Sequence, residues 1–110
     1  MKIIIKSTQI ESSSALEDYI QIKLAPLSKL IGKIEEKFNP VLNVEVARST
    51  KHHHKGEVYY VELTFILPRK TIRIEQYDNQ IRSAIDKAKN RLKVALDNYK
   101  EKKITRRRPR

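Results

Sequence analysis

The 110-residue chain has no cysteine, no tryptophan, a single methionine and two glycines, Gly32 and Gly56. Without cysteine it has neither a disulfide framework nor a thiolate metal site. Two glycines so far apart do not make a phosphate-binding glycine loop. A nucleophile elbow and a zinc-helix motif are also missing. No apolar run approaches the ~18 residues that span a bilayer. The opening Met1-Lys2-Ile3-Ile4-Ile5-Lys6 is too short an apolar run for a secretory signal. These absences predict a cytoplasmic protein that is not an enzyme and has no cofactor, metal, membrane partner or small-molecule substrate.

What is present in excess is positive charge. The formal net charge is +11, and its placement is uneven. Residues 1–80 hold 12 Lys/Arg against 10 Asp/Glu, whereas residues 81–110 hold 12 against 3, a local excess of +9. Charge gathered into one segment is the electrostatic footprint of a polyanion-binding protein. The competing reading is a solvated helix face followed by a flexible basic end.

The apolar pattern places that charge on a fold. Ile3 to Ile5 reads as a short buried strand. Ser13 or Ser14 can cap a helix, and Ser14 with Glu17 has the capping-box spacing. Leu16, Ile20, Leu24, Leu27 and Ile31 then repeat at helical intervals, with Pro26 predicting a kink or break. Gly32 is expected near the helix end, and residues 33–40 read as a connector. Leu42, Val44 and Val46 alternate as in a half-buried strand. Arg48 to Gly56 reads as a basic loop. Tyr59, Val61, Leu63 and Phe65 form the next strand, with Tyr59 expected in the core and Tyr60 on the other face, covering the sheet or stacking on a base. Pro68-Arg69-Lys70 makes a turn before Ile72 and Ile74.

From about Asp78 the period lengthens. Ile81, Ala84, Ile85, Ala88, Leu92, Ala95, Leu96 and Tyr99 form one apolar stripe over five turns of helix. The expected fold class is α+β, in the order β-α-β-β-β-α: a four-stranded sheet with two helices packed on one face. The first two strands are positioned for parallel pairing through a right-handed crossover. The open face is expected to carry Lys2, Glu45, Glu62, Thr64 and Arg73. Residues 1–104 are assigned to a single domain, and residues 105–110 to a disordered basic tail.

The last helix sorts its charge geometrically. At ~100° per residue, Arg82, Lys89, Lys93 and Lys100 fall within about 40° of one another along one flank of the stripe. Lys87, Arg91 and Lys102 border the opposite flank. Such rows suit phosphates along a nucleic-acid backbone, and each phosphate neutralised makes binding fall with salt. Lysine stems covering the edge of the seam would leave the same pattern. Lys103, Arg106, Arg107, Arg108 and Arg110 extend the charge into the tail. There arginine offers bidentate phosphate contacts and base stacking. Lys51 and Lys55 flank His52-His53-His54, which reads as a solvated loop touching RNA. Three adjacent histidines on an extended chain would point to alternate sides and make a poor metal site.

Ala15-Leu16-x-Asp18-Tyr19-Ile20, Lys23-Leu24-Ala25-x-Leu27, Ala84-Ile85-Asp86, Arg91-Leu92, Leu96 and Tyr99-Lys100-Glu101-Lys102 occur in that order. On these motifs the chain, over about residues 2–103, resembles the short bacterial ribosome hibernation-promoting factors of the ribosome-associated inhibitor A type. The resemblance implies a monomer in isolation that binds ribosomal RNA of the small ribosomal subunit. The site implied is the decoding region, in the channel used by messenger and transfer RNA. Such binding blocks translation and preserves idle ribosomes under stress. Arg91, Lys100 and Lys102 are the positions that match the family's basic pattern. Gln80 stands where an Asp is usual and Arg82 where an aromatic is usual. Val94, Asp97 and Asn98 fall where the family is often basic or polar, while Lys87, Lys89, Lys93 and Lys103 supply charge elsewhere. The other readings are a double-stranded RNA-binding module, which shares the α-β-β-β-α order, and a small nucleic-acid enzyme. The first would usually begin its last helix with lysines, where this chain has Tyr77-Asp78-Asn79-Gln80. The second would need a convergent acid/base or metal site.

Overall fold

The computed structural model describes residues 1–11, 13–49 and 58–107, with the backbone alone for 33–36 and 102–107. Strand β1 (Lys2–Thr8) leads into helix α1 (Ser14–Leu24), a 3-10 turn (Ala25–Leu27) and helix α2 (Ser28–Lys37). Strands β2 (Val41–Ser49), β3 (Val58–Leu67) and β4 (Lys70–Asp78) follow, and helix α3 (Ile81–Arg107) completes the fold. The four strands lie in the order β1-β2-β3-β4. β1 pairs parallel with β2, and the other two pairings are antiparallel. The architecture is therefore α+β, with one helical segment at each end of a β-β-β meander.

Local chemistry accounts for the elements. The Ser13 Oγ accepts the Leu16 amide hydrogen at 3.1 Å and caps α1. Ser13 is thus the cap, and the Ser14–Glu17 pair does not form the box its spacing suggested. Pro26 lies in the 3-10 turn, where its missing N–H ends the regular ladder as expected. Gly32 leaves helical geometry (φ 17°, ψ −95°), but it bends α2 rather than ending it. The helix resumes through Lys37, so most of the expected 33–40 connector is helical. Lys33-Ile34-Glu35-Glu36-Lys37 is made of good helix formers, and no proline intervenes before Pro40.

The hairpin between β3 and β4 is a two-residue turn, since Leu67 pairs with Lys70. Arg69 takes a positive φ of 61° there, after Pro68 in the position that favours a fixed φ. The 50–57 segment, which holds the histidines, Lys51 and Lys55, lies outside the described residues.

One face of the sheet buries Leu42, Val44, Val46, Val61, Leu63, Phe65, Leu67, Ile72 and Ile74. Against it lie Leu16, Ile20, Leu24, Leu27 and Ile31 from the first helical segment, and Ala84, Ile85, Ala88, Leu92 and Leu96 from α3. Fully burying a side chain of this size contributes about 1.5–3 kcal/mol, so the seam is what fixes α3 across the strands. Tyr59 is only half-buried, because it sits at the end of β3 in register with Arg48 and Asp78, beyond this core.

The opposite face is open. Its cross-strand rows include Asn43–Thr64–Arg73 and Glu45–Glu62–Glu75. Like charges directly opposite one another are destabilising, and here they are bridged. Arg73 donates to Glu62 at 2.7 Å and pairs with Glu75 at 2.8 Å, while Thr8 donates to Glu45 at 2.9 Å. The Tyr60 hydroxyl also donates to Glu62, and its ring packs on Tyr77 with centroids 4.9 Å apart. Burial and the Glu62 bond push the Tyr60 hydroxyl's pKa up, and the Tyr60 and Arg73 bonds hold the Glu62 carboxyl below its ordinary range. Tyr60 thus has a role within the sheet.

Candidate nucleic-acid interface

α3 lies with its apolar stripe on the sheet, so its two basic flanks face different neighbours. One flank runs along β4. Lys87 reaches Asp78 at 2.6 Å, and the Asp78 side chain is only 8% exposed. The same carboxylate accepts from the Ser83 hydroxyl at 3.0 Å and the Gln80 amide at 3.2 Å. These partners, Lys87 foremost, lower the Asp78 pKa to about 2 against the opposing pull of burial. Asp78 therefore joins the end of β4 to the first turns of α3.

Arg91, one turn beyond Lys87, donates from Nη1 to the Glu75 carbonyl and to Gln76 Oε1, the latter at 3.1 Å. β4 is an edge strand, and an edge carbonyl is otherwise left to water. Near the far end of the sheet the Tyr99 hydroxyl donates to the Pro68 carbonyl at 3.3 Å, tying α3 to the β3–β4 hairpin. On this flank Lys87 and Arg91 hold the helix in place.

The other flank faces α1. Arg82 is exposed, and its guanidinium lies over the Tyr19 ring, 5.1 Å from the centroid. Lys23 of α1 lies over the same ring at 5.5 Å and pairs with Asp86 at 3.9 Å. The Tyr19 hydroxyl donates to Asp86 at 2.7 Å. Further along, Lys89 and Lys100 are half-buried and Lys93 is exposed. None of these three has a hydrogen-bond or ion-pair partner among the described residues. They sit one to two turns apart on a rigid element, spaced like a row of cations for a charged backbone.

The fourteen residues expected to contact RNA thus fall into five sets. Lys89, Lys93 and Lys100 form an open row on the α1 side. Arg82 is on the same side but stacked on a tyrosine. Lys87 and Arg91 are on the other side, engaged with β4. Lys102, Lys103, Arg106 and Arg107 continue the backbone of α3, which runs through residue 107 and so takes in the first three residues assigned to the tail. Arginine favours helix and Pro109 comes only later, which accounts for that continuation. Arg108, Arg110, Lys51 and Lys55 lie outside the described residues.

Tyr19, Lys23 and Asp78 were not among the expected site residues. The Asp18-Tyr19 and Lys23-Leu24 stretches carried the family resemblance, yet nothing in their spacing shows that they meet Asp86, more than sixty residues away. Among the described residues no helix is long and apolar enough to cross a membrane, and no group of three or more His, Asp or Glu is placed to hold a metal.

Known structures with this fold are similar along nearly the whole chain. The N-terminal domain of Thermus thermophilus Protein Y is 24% identical, with a TM-score of 0.69, over 90% of this chain and 99% of that one. A ribosomal subunit interface protein from Coxiella burnetii is 20% identical, with a TM-score of 0.63, over 92% and 99% respectively. At these identities the likeness speaks to the fold. No curated protein sequence gives a significant match. The family model described as sigma 54 modulation protein / S30EA ribosomal protein matches residues 3–104, from the first strand to the last turns of α3, and the chain belongs to that family.

Proposed function

We propose that this protein is a ribosome hibernation factor. It binds ribosomal RNA of the small subunit in the decoding region, along the channel for messenger and transfer RNA. Bound there, it inhibits translation and preserves idle ribosomes under stress. The observation that carries the proposal is the row Lys89, Lys93 and Lys100, three cations without partners among the described residues, on the helix of a chain that belongs to a ribosomal-protein family. Its partner is a polyanion by charge alone, because +9 of the chain's +11 lies in residues 81–110. The Coxiella burnetii protein of similar fold, described as a ribosomal subunit interface protein, supports the choice of polyanion.

The mechanism is occupation rather than chemistry. α3 tracks a segment of RNA backbone, counterions leave the neutralised phosphates, and the body of the domain fills space that messenger and transfer RNA need. Lys102, Lys103, Arg106 and Arg107 prolong the basic helix, and Arg108, Arg110, Lys51 and Lys55 add further contacts. Binding of this kind is tight at low salt and falls steeply as salt rises.

Sedimentation of the tagged protein with isolated small subunits tests the proposal. Co-sedimentation at low ionic strength, lost with rising salt and abolished in a K89Q/K93Q/K100Q variant, is the expected result. Protein running free of subunits at low salt would overturn it. Equal affinity for a bare RNA duplex would instead favour a general double-stranded RNA reader.

A further inference from the structure

One acidic side chain stands in the middle of the α1-facing basic flank. At ~100° per residue Asp86 is about 40° from Arg82 and close to the line of Lys89 and Lys93. Its side chain is 45% exposed. In a surface that binds phosphates, an exposed carboxylate repels the ligand, so its presence calls for a physical reason.

The geometry around it supplies one. Asp86 accepts the Tyr19 hydroxyl at 2.7 Å and faces Lys23 Nζ at 3.9 Å. Tyr19 is half-buried against the core, so its ring is fixed at one edge by packing and at the other by this bond. Burial and the Asp86 bond both raise the Tyr19 pKa, which keeps the hydroxyl a donor. Over the ring lie Lys23 of α1 and Arg82 of α3, within 5.5 Å of its centroid. Arg82 is thereby held against the ring instead of sampling the many rotamers of a free arginine. A guanidinium ordered in advance loses less freedom when it meets a phosphate.

We propose that Asp86 is a positioning residue for RNA binding: through Tyr19 it gathers one cation from each of two helices, Lys23 and Arg82, into a preformed site for the phosphate backbone. This deepens the reading of the α3 flank given above and rests on it. Asp86 itself touches no RNA. Its contribution is to orient cations that charge alone would leave mobile.

Charge counting and positioning predict opposite signs for the same substitution. Asp86→Ala and Asp86→Asn each remove one negative charge, which by itself tightens binding to a polyanion. Asn keeps a carbonyl oxygen to accept the Tyr19 hydroxyl, and Ala does not. The test measures small-subunit affinity for both variants, with Tyr19→Phe as a third that keeps the ring and the net charge but loses the hydroxyl. Thermal melts of each variant check the fold.

The expected result is that D86N binds at least as tightly as the wild type. D86A and Y19F bind about five- to tenfold more weakly, the cost of ordering one or two long side chains. D86A binding as tightly as D86N, or Y19F as tightly as the wild type, would overturn the proposal.

A second readout needs no ribosome. In the free protein the Arg82 side-chain protons are shifted upfield by the Tyr19 ring, and D86A relaxes that shift while D86N retains it. No difference between these spectra would overturn the positioning role even if subunit binding stands. A wild type that showed the shift but bound no subunits would overturn the ribosomal reading instead.

Discussion

The two flanks of α3 carry the same kinds of residue but are engaged differently within the fold. Toward β4, Lys87 and Arg91 are held by Asp78, the Glu75 carbonyl and Gln76. Toward α1, Lys89, Lys93 and Lys100 have no such partners among the described residues. The difference teaches that net charge on a helix is no measure of its binding surface. A cation already paired with an intramolecular carboxylate adds little to the attraction for phosphate, because that carboxylate stays beside it. The basic pattern of a family can therefore be kept while some of its members serve the fold.

The comparison breaks most visibly in the α1-side row. K89Q/K93Q/K100Q is expected to lose about a hundredfold or more in small-subunit affinity at physiological salt. Its log K against log salt slope should be shallower by about 2–3. Its melting temperature should stay near that of the wild type, since these cations make no pairs among the described residues. An unchanged salt slope would show that the row is not the contact.

The β4 flank should answer in the opposite way. Asp78→Asn removes a carboxylate that accepts from Lys87, Ser83 and the Gln80 amide, and about 1–2 kcal/mol of stability in a denaturant titration should go with it. Subunit affinity per folded molecule should barely change. A weakening of binding as large as that of the lysine triple variant would erase the distinction between the flanks.

Acid offers a finer test of the same bond. The Asp78 pKa is lowered to about 2 in the folded chain against an ordinary value near 4, so its contribution is complete above pH 4 and is lost as pH falls toward 2. Lys87 is 59% exposed and solvent screens the pair, which reduces the contribution to about 1 kcal/mol. The stability gap between wild type and Asp78→Asn should narrow over that window and be flat from pH 5 to 8. A gap that persists at pH 2 would assign the effect to something other than ionisation. The smallest expected effect is that of Tyr99→Phe, which removes a 3.3 Å bond to the Pro68 carbonyl. It should cost about 0.5 kcal/mol by the same titration and leave the salt slope alone.

Much of this was legible before any coordinates. Strand alternation at Leu42, Val44 and Val46, and helical spacing from Ile81 to Tyr99, are local periodicities, and periodicity is what burial writes into a chain. The sorting of charge onto two flanks of α3 followed from helix geometry alone. Which flank is engaged within the fold did not, because that depends on side chains distant along the chain. Tyr19 meets Asp86 across 67 positions and Arg91 meets Glu75 across 16. The helix over 33–37 escapes the apolar pattern for another reason: its polar residues hide a helical propensity that only the bend at Gly32 interrupts. Ser13 and Ser14 are equally good caps, and their neighbours decide between them.

The open sheet face has a last consequence. Lys2, Lys6 and Arg73 project there with Glu45, Glu62 and Glu75, so that side of the molecule is close to electrically neutral. Helix α3 holds ten Lys/Arg against three Asp/Glu, so among the described residues the positive excess lies on the helical side and gives the domain an electric dipole. In the field of a polyanion such a body experiences a torque as well as an attraction. It turns its helices forward while still in solution, so encounters begin in a nearly productive orientation and fewer collisions are wasted. Moving one carboxylate from the sheet to the helical side would weaken that alignment without touching any contact, and would slow association more than it hastened release.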